Sequence, residues 1–340
     1  MEYRYIKAYF YQKEPEFARL LEYRIRGWHE NKEKGDAHFQ AQRQSADASS
    51  LLGEKYFFKM MIEIAREMHE QTSVLSPNTA SGKIKVLDVC MAPGGFTAAA
   101  LEEHPRGELY AITLPKSMGG HQALVPMDKL RGLKELDITM LRELADGDEI
   151  PKTHPECANF RIEKPYKFHK FDLAFCDGMV LRTHKRATYR EQTERLRLTT
   201  SQLIIAMTRV ANGGTIALLQ HKLDSWMPAR IVCTFSRFSK VQVFKPQKKH
   251  ASRSSFYMVA KYIDTDSEGF RECLKRLRED WWEATFGGEG GTGRCADGDD
   301  EDSVMRQIND SANTNAFRLG RPVWKIQADA LAKTEYAGSE

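Results

Sequence analysis

The chain has 340 residues, a net charge of +4, 41% hydrophobic and 29% charged residues. That length holds one large domain with appendages or two small ones, and the balance is that of a globular chain rather than a disordered or membrane-embedded one. No apolar run approaches the ~20 residues of a membrane span, and the opening MEYRYIKAYFYQKEPEF is charged throughout, unlike a secretory leader. The expectation is an intracellular protein, cytoplasmic or nuclear, with no membrane partner. The six cysteines, at 90, 157, 176, 233, 273 and 295, form no C-x-x-C pair or Cys/His cluster. Neither a metal site nor a disulfide framework is expected. The mild positive charge permits nucleic-acid binding without requiring it.

Residues 1–50 read as an N-terminal helical extension, with Phe17, Leu20, Leu21, Ile25 and Trp28 at helical spacing. An amphipathic helix follows over 51–70, its stripe being Phe57, Met60, Met61, Ile64 and Met68. It breaks at Pro77, Asn78 and Ser81-Gly82. KIKVLDVCM has the length and β-branched content of a buried strand; APGG is a turn, FTAAALEEH a helix and GELYAITL a second strand. An irregular stretch with Gly119 and Gly120 leads to Asp137, in front of a short helix. Residues 144–169, charged and carrying Pro151, Pro155 and Pro165, read as a surface insertion.

FDLAFCDG is the next clear strand. TTSQLIIAMTRV is a helix that Asn212-Gly213-Gly214 is expected to cap. TIALLQHK is a strand, ARIVCTFSRF a helix, and KVQVFKP and SSFYMVAKYI are strands whose short basic connection implies an antiparallel edge pair. Strands alternating with helices predict an α/β fold, a mostly parallel sheet with helices on both faces. Residues 51–263 form this domain. A C-terminal helix is expected over 264–286 and a disordered Gly/Asp-rich linker over 287–303. Residues 304–340 read as a tail that docks through Phe317, Val323, Trp324 and Ile326.

The sharpest motif is VLDVCMAPGGFTAAALEE. Ala92, Gly94 and Gly95 let the backbone approach a ligand where side chains would collide, and open parallel sheets bind ligands beyond the carboxyl ends of their strands. A Gly-Gly turn alone serves equally well as a plain helix start. The full string D-x-C-x-A-P-G-G-F resembles the first motif of the FtsJ-like (RrmJ-like) RNA ribose 2′-O-methyltransferases, LDLCAAPGGF. The resemblance covers about two thirds of the chain. It implies a Rossmann-like seven-stranded methyltransferase sheet with one reversed strand near the edge, S-adenosyl-L-methionine as cofactor and RNA as partner. It also implies that Ala92, Pro93, Gly94, Gly95 and Phe96 contact the methionine part of the cofactor and that Asp88 helps position it. Thr113 stands where many methyltransferases carry an acid for the cofactor ribose, as in the cap-type branch. Asp137 in L-D-I-T matches the family's G-D-I-T, whose carboxylate accepts the adenine amino proton; on residue type alone it reads equally as a helix N-cap.

The family's reaction uses a Lys-Asp-Lys-Glu tetrad to orient and deprotonate a ribose hydroxyl. By resemblance, Lys59 in FFKMMIEI is the first lysine and Asp177, closing the apolar strand FDLAFC, is the aspartate. The second lysine aligns with Leu219, with Lys222 three residues on as a displaced candidate, and the glutamate aligns with Ser255. Two readings follow: an RNA 2′-O-methyltransferase working through Lys59, Asp177 and Lys222, or a methyltransferase-fold protein that binds cofactor or RNA without this chemistry. A third keeps methyl transfer but directs it to a small molecule or protein.

Two basic runs leave strand ends: Arg182, His184, Lys185, Arg186 and Arg190 after the Asp177 strand, and Lys245, Lys248, Lys249, His250 and Arg253 between the last two strands. Each is a solvated face or one wall of an RNA channel. The channel reading assigns Arg182, Lys185, Arg186, Lys248, Lys249 and Arg253 to phosphates, with Tyr189 or Trp226 stacking on a base.

Overall fold

The computed structural model describes residues 4–47, 51–79, 82–295 and 316–338. Four helices come first: α1 (Arg4–Lys13), α2 (Pro15–Ile25), α3 (Lys32–Asp47) and α4 (Leu51–Thr72). Strand β1 (Lys85–Val89), helix α5 (Gly95–Glu103), β2 (Glu108–Thr113) and β3 (Gly132–Glu135) follow. Then come β4 (Phe171–Cys176), α6 (Glu194–Arg209), β5 (Val210–His221) and α7 (Trp226–Phe235). Strands β6 (Lys240–Phe244) and β7 (Ser255–Lys261) and helices α8 (Glu268–Phe286) and α9 (Ala316–Leu331) complete the chain.

The strands form one seven-stranded sheet in the order β3-β2-β1-β4-β5-β7-β6. All neighbours are parallel except β7, which runs against both β5 and β6. This is the expected architecture. Strand order reverses between β1 and β4, which makes their carboxyl ends the crevice where such sheets bind ligands. Because β7 is reversed, the β6–β7 connection emerges at that same edge. Met60, Met61, Ile64 and Met68 of α4 are buried with Phe96, Phe175 and Tyr257 on one face of the sheet. On the other face Leu203 and Ile205 of α6, and Leu277 and Trp281 of α8, cover Ala174, Leu218 and Met258.

Several local expectations change. Asn212-Gly213-Gly214 does not cap a helix; α6 ends at Arg209 and the triplet lies inside β5, where the register against β4 shifts. Gly213 has φ +78°, open to glycine at little cost, and its N–H donates to Ile263 O at 2.7 Å. Strand β3 occupies the stretch read as irregular. Residues 144–169 are no mere surface insertion: Leu144, Ile150 and Phe160 are buried, and Phe160 packs against Trp281 and Phe286 of α8. Of the expected linker, residues 296–303 lie outside the described residues, but 287–295 fold back: Arg294 pairs with Glu283 at 2.9 Å and Cys295 Sγ approaches Gln192 O at 3.3 Å. Helix α9 docks on α2, and Trp324 is fully buried against Phe10 and Phe17. The Phe317 side chain lies outside the described residues. Among the described residues no helix is long and apolar enough to cross a membrane.

Candidate active site

Strand β1 ends at Val89, and Cys90 turns the chain with φ +69°. Gly94, at φ +103°, is the N-cap of α5. A Cβ there would lie 2.5 Å from Val125 Cγ2 and 2.7 Å from Met91 Sδ, so only glycine fits. At Gly95 a Cβ would lie 2.4 Å from Met61 Cβ and 2.7 Å from Phe58 O. The missing side chain lets α4 lie directly on the turn, one residue from Lys59. Leu124 N–H donates to Pro93 O at 3.0 Å, so the segment before β3 covers one side of the turn. Ala92 N–H donates to Thr113 Oγ1 at 3.3 Å. Buried Thr113 therefore braces the turn. Phe96 is also a core residue, its ring tilted against those of Phe175 and Tyr257 with centroids 5.2 and 5.6 Å away.

Three carboxyl groups gather beside the turn. Asp88, Asp137 and Asp177 are all close enough to Cys90 to push its thiol pKa up, after burial, the larger cause. Asp88 accepts from Thr97 Oγ1 at 2.6 Å, and burial pushes its pKa up to about 7. Asp177 accepts from Tyr257 Oη at 2.9 Å. Burial, with a smaller contribution from Asp88, pushes it up to about 8. Asp137 caps a short helix by accepting from Thr139 N–H at 2.9 Å and Thr139 Oγ1 at 2.7 Å, while its other oxygen meets Arg190 at 3.2 Å.

The sheet register explains what surrounds Asp177. Cys176 pairs with Leu218, which pairs with Met258. The next residue of each strand continues the row as Asp177, Leu219 and Tyr257. Leu219 thus occupies the row expected to hold the second lysine, and Tyr257, not a cation, partners the carboxyl group. Lys222 follows the end of β5 with a left-handed backbone and an exposed side chain. Its ammonium makes no described bond to Asp177. Ser255 is buried opposite His221. Lys59 is exposed on α4.

Two residues outside the motif shape the crevice. Gln202 of α6 grips Gly178 through both amide atoms, accepting from its N–H at 2.8 Å and donating to its O at 3.2 Å. Buried Arg190 bridges Glu194 and Asp137. Nothing in the local sequence marks Gln202, since a glutamine in an apolar helix gains meaning only from the strand end it faces. Arg190 is thus part of a buried ion network rather than a phosphate contact.

The remaining basic residues divide. Arg182, Lys185, Lys248 and Arg253 are exposed. Arg186 donates to Leu181 O and His184 O at 3.1 and 3.2 Å and is committed to its own loop. Lys249 reaches Tyr56 Oη and Glu63 on α4, at 3.4 and 3.6 Å. Lys245 is buried and its ammonium donates to three carbonyls, of His250, Arg253 and Ser255. The two stacking candidates are occupied: Trp226 is buried beneath Arg230, and Tyr189 hydrogen-bonds Glu156.

The model of the FtsJ-like methyltransferases matches residues 64–262, more than half of the chain. The chain belongs to the FtsJ-like methyltransferase family. No curated protein matches its sequence. Among solved structures, a Plasmodium falciparum protein described as a ribosomal RNA methyltransferase is 15% identical over 59% of this chain and 96% of its own, with a TM-score of 0.38. The N-methyltransferase NodS of Bradyrhizobium japonicum is 15% identical over 58% of this chain and 96% of its own, at a TM-score of 0.36. Human N-acetylserotonin methyltransferase, solved with SAM, is 13% identical over 62% and 56%, at 0.32. Within this FtsJ-like chain the family match spans β1 to β7 and leaves out α1–α3, α8 and α9.

Proposed function

We propose that this chain binds S-adenosyl-L-methionine at the carboxyl edge of β1–β4 and methylates a ribose hydroxyl of RNA, with Asp177 at the reaction centre. The observation that carries the reading is the gathering of Asp88, Asp137 and Asp177 beside the Cys90–Gly95 turn. Three carboxyl groups with few cationic partners suit a ligand bearing a sulfonium and an ammonium, and the close packing that Gly94 and Gly95 permit against Val125 and α4 fixes the turn beside them. Asp88 steadies the turn through Thr97, and Asp137 is the group for the adenine amino protons. The bound cofactor supplies an electrophilic methyl group. Asp177 then orients an incoming hydroxyl and takes its proton, while Tyr257 fixes one carboxyl oxygen so that the other faces the substrate. Lys59, on the helix that lies across the turn, is the cation available to the developing alkoxide. RNA is the substrate class favoured by the motif resemblance and by exposed Arg182, Lys185, Lys248 and Arg253, from loops that share this edge.

A second reading, binding without transfer, is favoured by one specific feature: Leu219 and Ser255 remove a cation and an anion from the family's tetrad. Transfer of tritiated methyl groups to total RNA, compared with protein and metabolite extracts, separates the readings. Labelled RNA that digests to 2′-O-methylnucleosides supports the first, and its loss in Asp177→Ala with retained cofactor affinity assigns the residue. Cofactor binding with no label in any extract favours the second.

A further inference from the structure

The buried arginines among the described residues each face a carboxylate. Arg190 meets Glu194 at 2.7 Å, Arg197 meets Glu194 at 3.5 Å, and Arg209 meets Glu143 at 2.7 Å. One group of basic side chains is different. His221 ends β5, Lys222 follows it, His250 and Arg253 lie on the β6–β7 connection, and Arg195 lies in the first turn of α6. None of these five side chains has a hydrogen bond or ion pair with a described residue. Yet they share one neighbourhood: Arg195, Lys245, Lys222 and Arg253 all act on His221, and Arg253, Lys245 and His221 act on His250. Asp224, two residues beyond Lys222, is buried and committed to Arg24 at 3.0 Å.

The loop carrying two of these groups is built rather than loose. The buried Lys245 ammonium draws the carbonyls of His250, Arg253 and Ser255 inward at 2.6–2.8 Å. That arrangement fixes the loop backbone from which the His250 and Arg253 side chains leave. Lys222 N–H donates to Ser254 O at 2.9 Å, tying the end of β5 to the same loop. His221 pairs with Ser255 and follows Leu219 by two residues, so it shares the sheet face of the Asp177–Leu219–Tyr257 row. His221 and the loop tied to it therefore stand beside the reaction site, with Arg195 close enough to act on His221 from the first turn of α6.

We propose that His221, Lys222, His250, Arg253 and Arg195 form a phosphate subsite beside the reaction site, suited to more than one negative charge. Assigning the natural ligand to RNA rests on the reading above; the anion site itself does not. A terminal phosphate and two neighbouring phosphodiesters both offer that chemistry. The two imidazoles give the site a signature. Burial, then the surrounding cations, push both down to about 4, so both are uncharged in the free protein at pH 7. A bound anion raises them, so binding takes up protons and tightens as pH falls toward 5.

Sulfate, a tetrahedral dianion whose charge is constant across this range, isolates the protein's protonation. Calorimetry on the full chain is expected to show sulfate binding more tightly at pH 5.5 than at pH 7.5. Arg195→Ala with Arg253→Ala is expected to weaken it about tenfold, from the loss of two charge-assisted contacts. The same double variant is expected to weaken a short RNA oligonucleotide. Tighter binding of the 5′-phosphorylated than the 5′-hydroxyl form assigns a terminal phosphate, and equal binding assigns chain phosphodiesters. Sulfate affinity unchanged by pH and by the double variant, or no sulfate binding, overturns the site. Retained sulfate binding without RNA binding or methylation overturns the RNA reading and leaves the anion site standing.

Discussion

At Asp88 and Asp177, burial holds two carboxyl groups near pKa 7 and 8, well above the usual carboxylate range, and no cation is among the causes. The direction has two consequences. In the unfolded chain both groups ionise near pH 4, so between about pH 4 and 8 the folded state holds protons that the unfolded state has lost. Their contribution to stability is therefore present below the unfolded value and is lost as pH rises through 7 and 8. Asp177→Asn keeps an acceptor for Tyr257 and has no charge to bury. Its melting temperature is expected to match or exceed the native protein's at pH 8 by a few degrees, with a smaller difference at pH 5. A larger native advantage at pH 8 would contradict this account. The second consequence concerns ligands: a cation entering among these carboxyls lowers their pKa, so cofactor binding is expected to release protons between pH 7 and 8. Calorimetry in buffers of different ionisation enthalpy reads that release, and its sign is opposite to that expected for sulfate at the His221 site.

The elements that position these groups were partly legible in advance. β1 and β4 announce themselves because strands buried on both faces are continuous apolar runs, and an acid inside the first run and one closing the second mark Asp88 and Asp177. β3 did not, because Gly132–Glu135 is a short edge strand with two exposed residues and no β-branched side chain. Asn212-Gly213-Gly214 misled because a left-handed glycine serves a helix end and a strand irregularity equally well; what decides is the Gly213–Ile263 bond, 50 residues away in sequence. The same non-locality hides Tyr257 and Gln202, whose roles depend on strand register and on helix α6 facing the end of β4. Gln202→Leu tests that link. It leaves the N–H and carbonyl of Gly178 without their partner, in a place where a Cβ on Gly178 would lie 2.6 Å from Cys90 Sγ. The expected cost is about 1–3 kcal/mol in denaturant unfolding, with a loss of methyl transfer larger than the loss of cofactor affinity, because the displaced segment begins at Asp177. On the other side of the turn, Gly95→Ala must push Phe58 O and Met61, and α4 with them, away from α5. It is expected to destabilise by about 1–3 kcal/mol.

Across the whole molecule, the two ends of the chain close over the edge of the sheet that carries the anion site. Glu14, nearly fully buried, caps α2 and pairs with Arg321 at 3.0 Å. Arg19 meets Asp329 at 2.6 Å. Arg24 reaches both Gln327 and Asp224, each at 3.0 Å, and Gln327 donates to Ser252 O and Ser254 Oγ at 3.1 and 3.2 Å. A continuous chain of contacts thus runs from α2 and α9 to the turn after β5 and to the β6–β7 loop. Trp324 anchors it, with ring centroids 4.9 Å from Phe10 and 5.2 Å from Phe17. Trp324→Ala removes the largest side chain from this layer, at an expected cost of about 3–5 kcal/mol. Because the layer's polar contacts with the sheet edge run through Asp224, Ser252 and Ser254, the loss is expected to be greatest there. Hydrogen exchange is expected to speed up in α1, α2 and residues 250–254 and to stay slow in β1 and β4. Sulfate affinity is expected to fall with it, while cofactor affinity, set at the other end of the crevice, is retained. Exchange that accelerates uniformly through the sheet would mean that the terminal helices support the whole fold rather than this edge of it.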